Sequence, residues 1–303
     1  YWYPVGGMQK FHDSLAENLK NLGGDLRCNT RVEKIEVKNG KAAGVRTSSG
    51  EFIEADQIIY AGDYKALVST IVGEGIFPAR QTERFQKAKL TESLFATYLG
   101  VNLPPEELQK KLQAHHTFWF PNYEVIFPDA ESSPDVHQKM WVTANFFGEA
   151  GFAPAGKSTL VLQTYSAASW QNFWQNGSYD RPRTEAYRRM KEQVSRELVA
   201  LAENFLPGLS SQIDFMEAGT PLSIQRFSLN SEGSSGGWCY DDRLSAVFKA
   251  PFLNTLKTPV PNLIAAGHYT VWPGGVISAA LSGRFAANIA LGKGILAPLS
   301  VNI

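Results

Sequence analysis

The carboxy-terminal segment places a strand, a pair of glycines and a helix in immediate succession, and this order constrains the fold more than any other feature. Leu263 to Ala266 form a short apolar run that ends at Gly267, which predicts a fully buried strand. Gly274 and Gly275 have no Cβ, so the backbone there can approach a ligand closely. In the helix that starts at Val276, small residues recur at helical spacing, at Ala280, Gly283, Ala287 and Ala290.

The start of this helix is a candidate binding place for a planar group with an electron-rich edge. A helix N-terminus carries a partial positive charge and N–H groups that lack intrahelical partners. A flavin ring has the required shape, and its reduced form gathers negative charge at one edge. The alternative is an ordinary strand–turn–helix unit of an α/β core, and the segment by itself favours neither interpretation.

Composition and charge exclude several other classes of protein. The chain has 29 basic and 29 acidic residues, so its zero net charge argues against a nucleic-acid partner. Its hydrophobic content of 44% and charged content of 19% are typical of a globular protein. No apolar run has the length of a membrane span, and the two cysteines, Cys28 and Cys239, form no CxxC pair. A reduced, cytoplasmic setting is therefore expected, with one disulfide left open.

The two ends of the chain have the pattern of one α/β domain. Residues 1–90 begin with a helix that a Gly-Gly pair ends, and continue with strands joined by Asn-Gly and Ser-Gly turns. One further strand is predicted to run from Phe52 to Tyr60, with Asp63 as the cap of the helix that follows. Residues 240–303 return to this style, so both ends are assigned to the same domain.

Residues 91–239 have a different character, which predicts an inserted antiparallel-sheet domain for the substrate and an overall α/β (α+β mixed) fold. Its strand-like segments are 94–101, 117–120, 140–147 and 159–165, followed by a helix over 184–205. Aromatic side chains of this insert either line an apolar cavity or tunnel, or simply pack the sheet. They are Phe118, Trp119, Phe120, Trp141, Phe146, Phe147, Trp170, Phe173 and Trp174.

Two motifs match chemical signatures by letter but not by context. Residues 151–158 satisfy the P-loop pattern G-x-x-x-x-G-K-[ST], yet a strand-like segment follows where a P-loop requires a helix. Residues 233–237 satisfy the hydrolase pattern G-x-S-x-G but belong to a segment that is typical of a flexible, polar loop. Loops are the favoured interpretation of both. The five histidines have no metal-ligand spacing, so no metal site is expected.

Taken together and in this order, several segments resemble the flavin-dependent phytoene desaturases, carotenoid cis–trans isomerases and retinol saturases, with amine oxidases as more distant relatives. The segments are 3–8, 30–35, 44–45, 55–59, 217–222 and 267–283. In such proteins a G-x-G-x-x-G fingerprint stands near the N-terminus, whereas this sequence contains none between a strand and a helix. The resemblance therefore implies the carboxy-terminal part of a longer two-domain flavoprotein, with the missing amino-terminal segment as its partner.

The resemblance also implies FAD as the cofactor and assigns its contacts residue by residue. From the adenine to the flavin ring, the implied contacts are Val32, Ala61, Gly62, Gly267, His268, Gly274, Gly275, Val276 and Ile277. Gly274 and Gly275 would face the pyrimidine edge of the flavin, in agreement with the interpretation from the residues alone. His268 stands where the family often has an acidic residue.

The expected function is that of an FAD-dependent oxidoreductase acting on an apolar unsaturated substrate, such as a carotenoid or retinoid-like polyene. Flavin-dependent cis–trans isomerisation without net redox change and amine oxidation are the alternatives on the same scaffold. A P-loop nucleotide hydrolase using Lys157 is a distant alternative, and a fragment that merely folds is another. We expect the full-length parent to be the active enzyme, this chain alone to be inactive, and exposed apolar edges to permit peripheral membrane contact.

Overall fold

The structure of the chain is a computed structural model. It describes residues 4–120, 142–146, 151–167, 171–174, 176, 178–239, 255–271 and 274–298. Three of the predicted aromatic positions, Trp141, Phe147 and Trp170, lie outside the described residues, as does the side chain of Phe146.

The described residues form eight α-helices and ten strands. The α-helices are α1 (Gly7–Asn21), α2 (Tyr64–Ala66), α3 (Ala79–Lys87), α4 (Pro105–Leu112), α5 (Gln171–Trp174), α6 (Glu185–Ala202), α7 (Pro221–Ser228) and α8 (Val276–Ala290). The strands are β1 (Val32–Lys38), β2 (Lys41–Thr47), β3 (Phe52–Glu54), β4 (Ile58–Tyr60), β5 (Ser93–Val101), β6 (His116–Trp119), β7 (Val142–Phe146), β8 (Ser158–Ser166), β9 (Ile213–Gly219) and β10 (Leu263–Ala265).

Within the described residues the strands form three sheets. β1, β2 and β3 make an antiparallel sheet, and β4 pairs in parallel with β10. The third sheet is antiparallel, with the strand order β6-β7-β8-β5-β9. This combination confirms the predicted mixed α/β class with an antiparallel sheet in the middle of the chain.

The strand predicted from Phe52 to Tyr60 is wrong as a single element. The chain leaves the first sheet after β3, where the Ala55 N–H still donates to the Ala43 carbonyl at 3.1 Å. It enters the second sheet at β4, where the Ile58 N–H donates to the Asn262 carbonyl at 2.8 Å. The stretch from Glu54 to Asp56 has low strand propensity and separates the two halves, which pair with β2 and β10 respectively.

The two ends of the chain share one hydrophobic core. Ile35 from β1 and Leu67 after α2 are buried together with Leu263 from β10 and with Tyr269. The pairing of β4 with β10 and this common core support the assignment of residues 1–90 and 240–303 to one unit. The exact domain boundaries stay a prediction.

The five-stranded sheet packs one face against α6. Leu99 of β5, Leu160 of β8 and Leu198 of α6 are fully buried in this second core. Because side chains alternate along a strand, the neighbouring residues project to the opposite face. We call that opposite surface the open face. It includes Tyr98, Gly100, Thr159, Val161 and Phe215.

Most of the described aromatic residues of the insert pack the core instead of lining a cavity. Trp174 is buried, with its ring stacked on Phe95 at a centroid distance of 5.7 Å. Trp119 and Phe173 pack against the same cluster. Phe118 and Phe120 are not part of this cluster: their rings stack on each other at a centroid distance of 6.5 Å, and 56% of Phe118 is exposed. For Trp119, Phe173 and Trp174 the tunnel interpretation is therefore wrong. Large apolar side chains bury more area in the core on the helix side of the sheet than they would in a channel.

α8 has the predicted bounds but packs with a different stripe. Ser278, Ser282 and Ala286 are its buried positions toward the body of the protein. Ala280 and Gly283, members of the predicted small-residue stripe, are exposed. Small residues cover more than half of the circumference of this helix, so spacing alone could not decide which part of that surface is buried.

Two further expectations are addressed by the structure. Cys28 and Cys239 are not joined in a disulfide, so the bond left open by the sequence is not formed. No helix within the described part of the chain combines the length and apolar character needed to cross a bilayer.

Candidate functional site

The carboxyl ends of the parallel strands β4 and β10 meet, which is where α/β sheets commonly bind ligands. The Ala266 N–H donates to the Tyr60 carbonyl at 2.8 Å and extends the pairing past β10. Gly267 follows with φ +89°, and a Cβ built on it would lie 3.2 Å from the Ala61 carbonyl oxygen. The structure thus brings together Ala61 and Gly267, two of the predicted site residues that are far apart in sequence.

A glycine-rich segment, Gly233–Gly237, packs against the start of α8; we call it the glycine loop. The Gly274 N–H donates to the Gly236 carbonyl at 2.7 Å, and a Cβ on Gly236 would lie 3.1 Å from the Gly274 Cα. A Cβ on Gly237 would lie 3.0 Å from the His268 Cδ2. The glycine loop therefore contacts both Gly274 and His268, and neither contact leaves room for a side chain on the loop.

The expectation that this loop is flexible and polar is wrong. Gly236 and Gly237 are buried, and the Gly236 N–H donates to the Thr91 Oγ1 at 2.8 Å. The Ser235 N–H donates to the Glu92 carbonyl at 2.9 Å, so the loop is held on both sides. Within the described residues, α7 and not a strand precedes the loop, and residues 236–239 form no helix, so the surroundings of Ser235 differ from those of a hydrolase nucleophile elbow. Trp238, a large apolar residue directly after the glycines, was the one local feature of the sequence that indicated burial of the loop, and it is buried in the structure.

The start of α8 is open to solvent and has no side-chain cap. Gly275 occupies the N-cap position with φ 80° and makes no capping hydrogen bond through a side chain. Gly275, Val276 and Ile277 are exposed, and the Ser278 hydroxyl donates to the Gly274 and Gly275 carbonyls. These residues fit a planar ligand with a negative edge, because the first-turn N–H groups are unshielded and the glycines add no bulk.

A buried carboxylate organises the segments around this site. Asp63 is only 4% exposed, and its Oδ1 accepts from the Ala66 N–H at 2.8 Å, which confirms the predicted helix cap. Its Oδ2 accepts from the Tyr269 hydroxyl and from the Ser231 N–H, both at 2.6 Å. These two partners could not be predicted from the sequence, since they lie more than a hundred positions away from Asp63.

Burial and the charge of Asp63 set the protonation of the neighbouring side chains. Burial raises the pKa of the Tyr269 hydroxyl well above its ordinary value, and the Asp63 charge acts in the same direction. Tyr269 therefore stays protonated and can donate to Asp63. Burial lowers the pKa of His268 below its ordinary 6.5, while Asp63 opposes this shift. His268 is consequently a neutral imidazole at pH 7.

The remaining sequence-predicted residues are less tightly grouped. Gly62 follows Ala61 at the end of β4, under the ring of Tyr60. Val32 lies in β1, half-buried and paired with Thr47, in a different sheet from the glycine contacts. In the described part of the chain no three His, Cys, Asp or Glu residues cluster closely enough to hold a metal ion. Lys157 of the P-loop-like string precedes β8 instead of a helix and forms an ion pair with Asp214, which argues against a triphosphate site.

Comparison with known proteins gives one family and several relatives. The model of the family described as "Flavin containing amine oxidoreductase" matches residues 1–291. The chain is 30% identical to a prolycopene isomerase from Arabidopsis thaliana, over 96% of this chain and 46% of that protein. It is 23% identical to a lycopene-forming phytoene desaturase from Pseudescherichia vulneris, over 74% of this chain and 43% of that protein. The chain thus spans about half the length of the curated relatives it matches.

Two solved structures illustrate the similarity in fold. An engineered putrescine oxidase superposes with a TM-score of 0.60 at 16% identity, over 95% of this chain and 54% of that one. A reduced UDP-galactopyranose mutase superposes with a TM-score of 0.59 at 15% identity, over 95% of this chain and 52% of that one. At these identities the likeness concerns the fold.

The close approach of Gly236 to Gly274 predicts a position-specific cost of adding one methyl group. In the full-length protein, Gly236→Ala should lower the free energy of unfolding by about 1–3 kcal/mol, because the new Cβ meets the Gly274 backbone. Gly283→Ala is the matched control: its Cβ would meet nothing within 4 Å on α8, so it should be neutral or stabilising by about 0.5–1 kcal/mol. Urea unfolding measures both, and equal effects would contradict the contact.

The carboxylate of Asp63 and the hydroxyl of Tyr269 should be energetically coupled. Asp63→Ala leaves the Tyr269 hydroxyl and the Ser231 N–H without their acceptor, at a cost of about 1–3 kcal/mol. A double-mutant cycle with Tyr269→Phe should give a coupling of about 0.5–3 kcal/mol in the free energy of unfolding. The exposed pair Glu83 and Lys87 on α3 is the control, with an expected coupling below about 0.5 kcal/mol. Additive effects of the Asp63 and Tyr269 substitutions would refute the role given to this bond.

Proposed function

The chain belongs to the flavin containing amine oxidoreductase family, and from this premise we propose that it contributes FAD contacts and the substrate domain of an enzyme acting on an apolar polyene. The observation that carries the proposal is the similarity to prolycopene isomerases over nearly the whole chain. The uncapped start of α8 beside the glycine contacts supports it from the structure. The family confirms the predicted class of cofactor, a flavin.

The proposed cofactor contacts are the nine residues predicted from the sequence. Gly267, Gly274 and Gly275 are the best supported of them, because each has a positive φ and a backbone contact or open surface beside it. Ala61 and Gly62 are proposed for the pyrophosphate or ribose, and Val32 for the adenine. His268 is proposed for the ribityl chain, where a neutral imidazole can accept or donate a hydrogen bond but carries no charge.

When bound, FAD supplies an acceptor or donor of a hydride or electron pair. The chain's own contribution at the flavin edge is the α8 N-terminus, which would stabilise negative charge there by about 0.3–1 kcal/mol, more where the site is shielded from water. The glycine loop would hold the α8 start in place through the Gly236–Gly274 hydrogen bond. Asp63 would act as a positioning residue, since it fixes Tyr269 next to His268 and the segment leading into the glycine loop.

The proposed substrate is a linear polyene, because the curated relatives include prolycopene isomerases, phytoene desaturases and a 4,4'-diapolycopene oxygenase. Amine oxidation is the weaker alternative, since putrescine oxidase and cyclohexylamine oxidase are neighbours in fold at 15–16% identity. Within the polyene class, redox-neutral isomerisation is a second candidate. It is favoured by 30% identity to a prolycopene isomerase, against 23% to a phytoene desaturase over less of the chain.

A partner segment and a membrane are also part of the proposal. Leu15 and Leu19 of the amphipathic helix α1 are exposed, which supports packing of this face against the rest of the full-length protein. Phe227 at the end of α7 is 87% exposed and supports peripheral contact with a lipid surface. The cytoplasmic setting remains a prediction.

The proposed role of Gly275 is tested by the flavin content of the full-length protein. Gly275→Val places a β-branched side chain at φ 80° at the exposed start of α8, so we expect FAD occupancy to fall by at least about tenfold. Gly75→Val is the matched control, because Gly75 also has a positive φ (77°) and no neighbour within 4 Å, in a loop away from α8. The absorbance ratio of flavin to protein after purification gives the occupancy. Undiminished flavin in Gly275→Val would remove this residue from the proposed site.

The reaction itself is tested by product analysis with the full-length enzyme. We expect conversion of phytoene or prolycopene and no turnover of putrescine. Two anaerobic incubations separate the candidates. Prereduced enzyme with prolycopene should give a product of equal hydrogen content if the enzyme isomerises, whereas oxidised enzyme with phytoene should give a product that has lost hydrogen, together with an equal amount of reduced flavin, if it desaturates. Turnover of amines alone would refute the polyene proposal.

A further inference from the structure

Tyr269 follows two of the proposed flavin contacts, Gly267 and His268, directly in the sequence. It is only 1% exposed, and the centroids of the His268 and Tyr269 rings are 4.7 Å apart. A Cβ on Gly237 would lie 3.2 Å from the Tyr269 Cδ1, so the glycine loop covers the ring. The phenol is therefore one side chain removed from the candidate flavin surface.

The hydrogen-bond partner of the Tyr269 hydroxyl is a base. The hydroxyl donates to the Asp63 Oδ2 at 2.6 Å, a short bond to a charged acceptor. The Tyr60 hydroxyl also contacts Asp63, but it donates to the main-chain carbonyl, at 3.0 Å. A carboxylate can take up a proton, whereas a carbonyl oxygen of the backbone only accepts a hydrogen bond. Of these two tyrosines, Tyr269 is thus the one with a proton acceptor in place.

This difference decides how easily each phenol can lose an electron. Burial and the Asp63 charge raise the pKa of Tyr269, so its phenolate does not form beforehand. A phenol that has lost one electron is, in contrast, a strong acid that releases its proton to a base within hydrogen-bond distance. Movement of the proton to Asp63 avoids a buried positive charge on the ring, which would be costly. The geometry therefore favours one-electron oxidation at Tyr269 over Tyr60.

Trp238 is another oxidisable side chain beside Tyr269. The centroids of the two rings are 5.2 Å apart, and the Trp238 Nε1–H donates to the Tyr269 carbonyl at 2.9 Å. Because this carbonyl cannot take up the indole proton, an oxidised Trp238 would keep a positive charge in the buried core. Trp238 is thus the less favourable electron donor, and the experiment below separates it from Tyr269.

We propose that Tyr269 is a redox-active tyrosine that deactivates light-excited flavin, an activity separate from the turnover of substrate. Tyr269 gives one electron to the excited, oxidised flavin, and its phenolic proton moves to the Asp63 Oδ2. The electron then returns to Tyr269 and Asp63 returns the proton, so every group regains its starting state and no further reductant is consumed. The inference rests on the proposed flavin site and is independent of the identity of the substrate.

The test measures the decay of flavin fluorescence in the full-length protein with bound FAD. Tyr269→Phe keeps the ring and removes the hydroxyl, and Asp63→Asn keeps the shape of the side chain and removes the base. In both variants the rate of fluorescence quenching should fall at least about tenfold, a change of about 1.4 kcal/mol in activation free energy. Tyr60→Phe is the matched control, because this hydroxyl also contacts Asp63, and Trp238→Phe is a second one. Both should quench like the wild type.

The wild-type protein provides a measurement without any substitution, which decides the question even if Tyr269→Phe does not fold. Quenching should be slower in heavy water than in ordinary water, because the hydroxyl proton moves with the electron, and Asp63→Asn should lose this difference. Unchanged quenching in Tyr269→Phe, no isotope effect in the wild type, or quenching lost only in Tyr60→Phe or Trp238→Phe would overturn the inference and leave the proposed flavin site intact. A full-length protein that binds no FAD would instead refute that site, and the inference with it.

Discussion

The buried carboxylate of Asp63 is the interaction on which the arrangement of the candidate site depends. A charge with so little exposure is tolerated only where hydrogen bonds satisfy it, and Asp63 accepts from Ala66, Tyr269 and Ser231. These donors come from the helix after β4, the segment after β10 and the entry to the glycine loop. A single side chain thus fixes three distant parts of the chain relative to one another, and the Gly236–Gly274 contact follows from that placement.

The glycine loop connects the segments around Asp63 to the five-stranded sheet. Its first residue, Gly233, accepts a hydrogen bond from Ser93 at the start of β5, and its later residues pack on Gly274 and His268. The register of β5 is therefore tied to the start of α8 through one buried loop. Because β5 pairs with both β8 and β9, this link also positions the rest of the five-stranded sheet relative to the start of α8.

Local elements were predictable from the sequence, whereas contacts between distant segments were not. The bounds of α8, the strand β10 and the cap of α2 by Asp63 follow from periodicity, composition and capping chemistry, which act over a few residues. The division between β3 and β4, the buried face of α8 and the burial of the glycine loop depend on partners far away in the chain. The loop shows the difficulty most clearly: glycine and serine are typical of flexible surface loops, yet here the absence of side chains permits burial.

The aromatic residues of the insert follow the same logic as the glycine loop. Their composition is compatible with a binding surface, but Trp119, Phe173 and Trp174 bury their large apolar surfaces in the core against α6. The candidate cofactor surface lies instead where side chains are absent, at Gly267, Gly274 and Gly275, each of which has a positive φ. A side chain added at one of these glycines would change the backbone conformation and the space beside α8, while the aromatic core behind the sheet would remain the same.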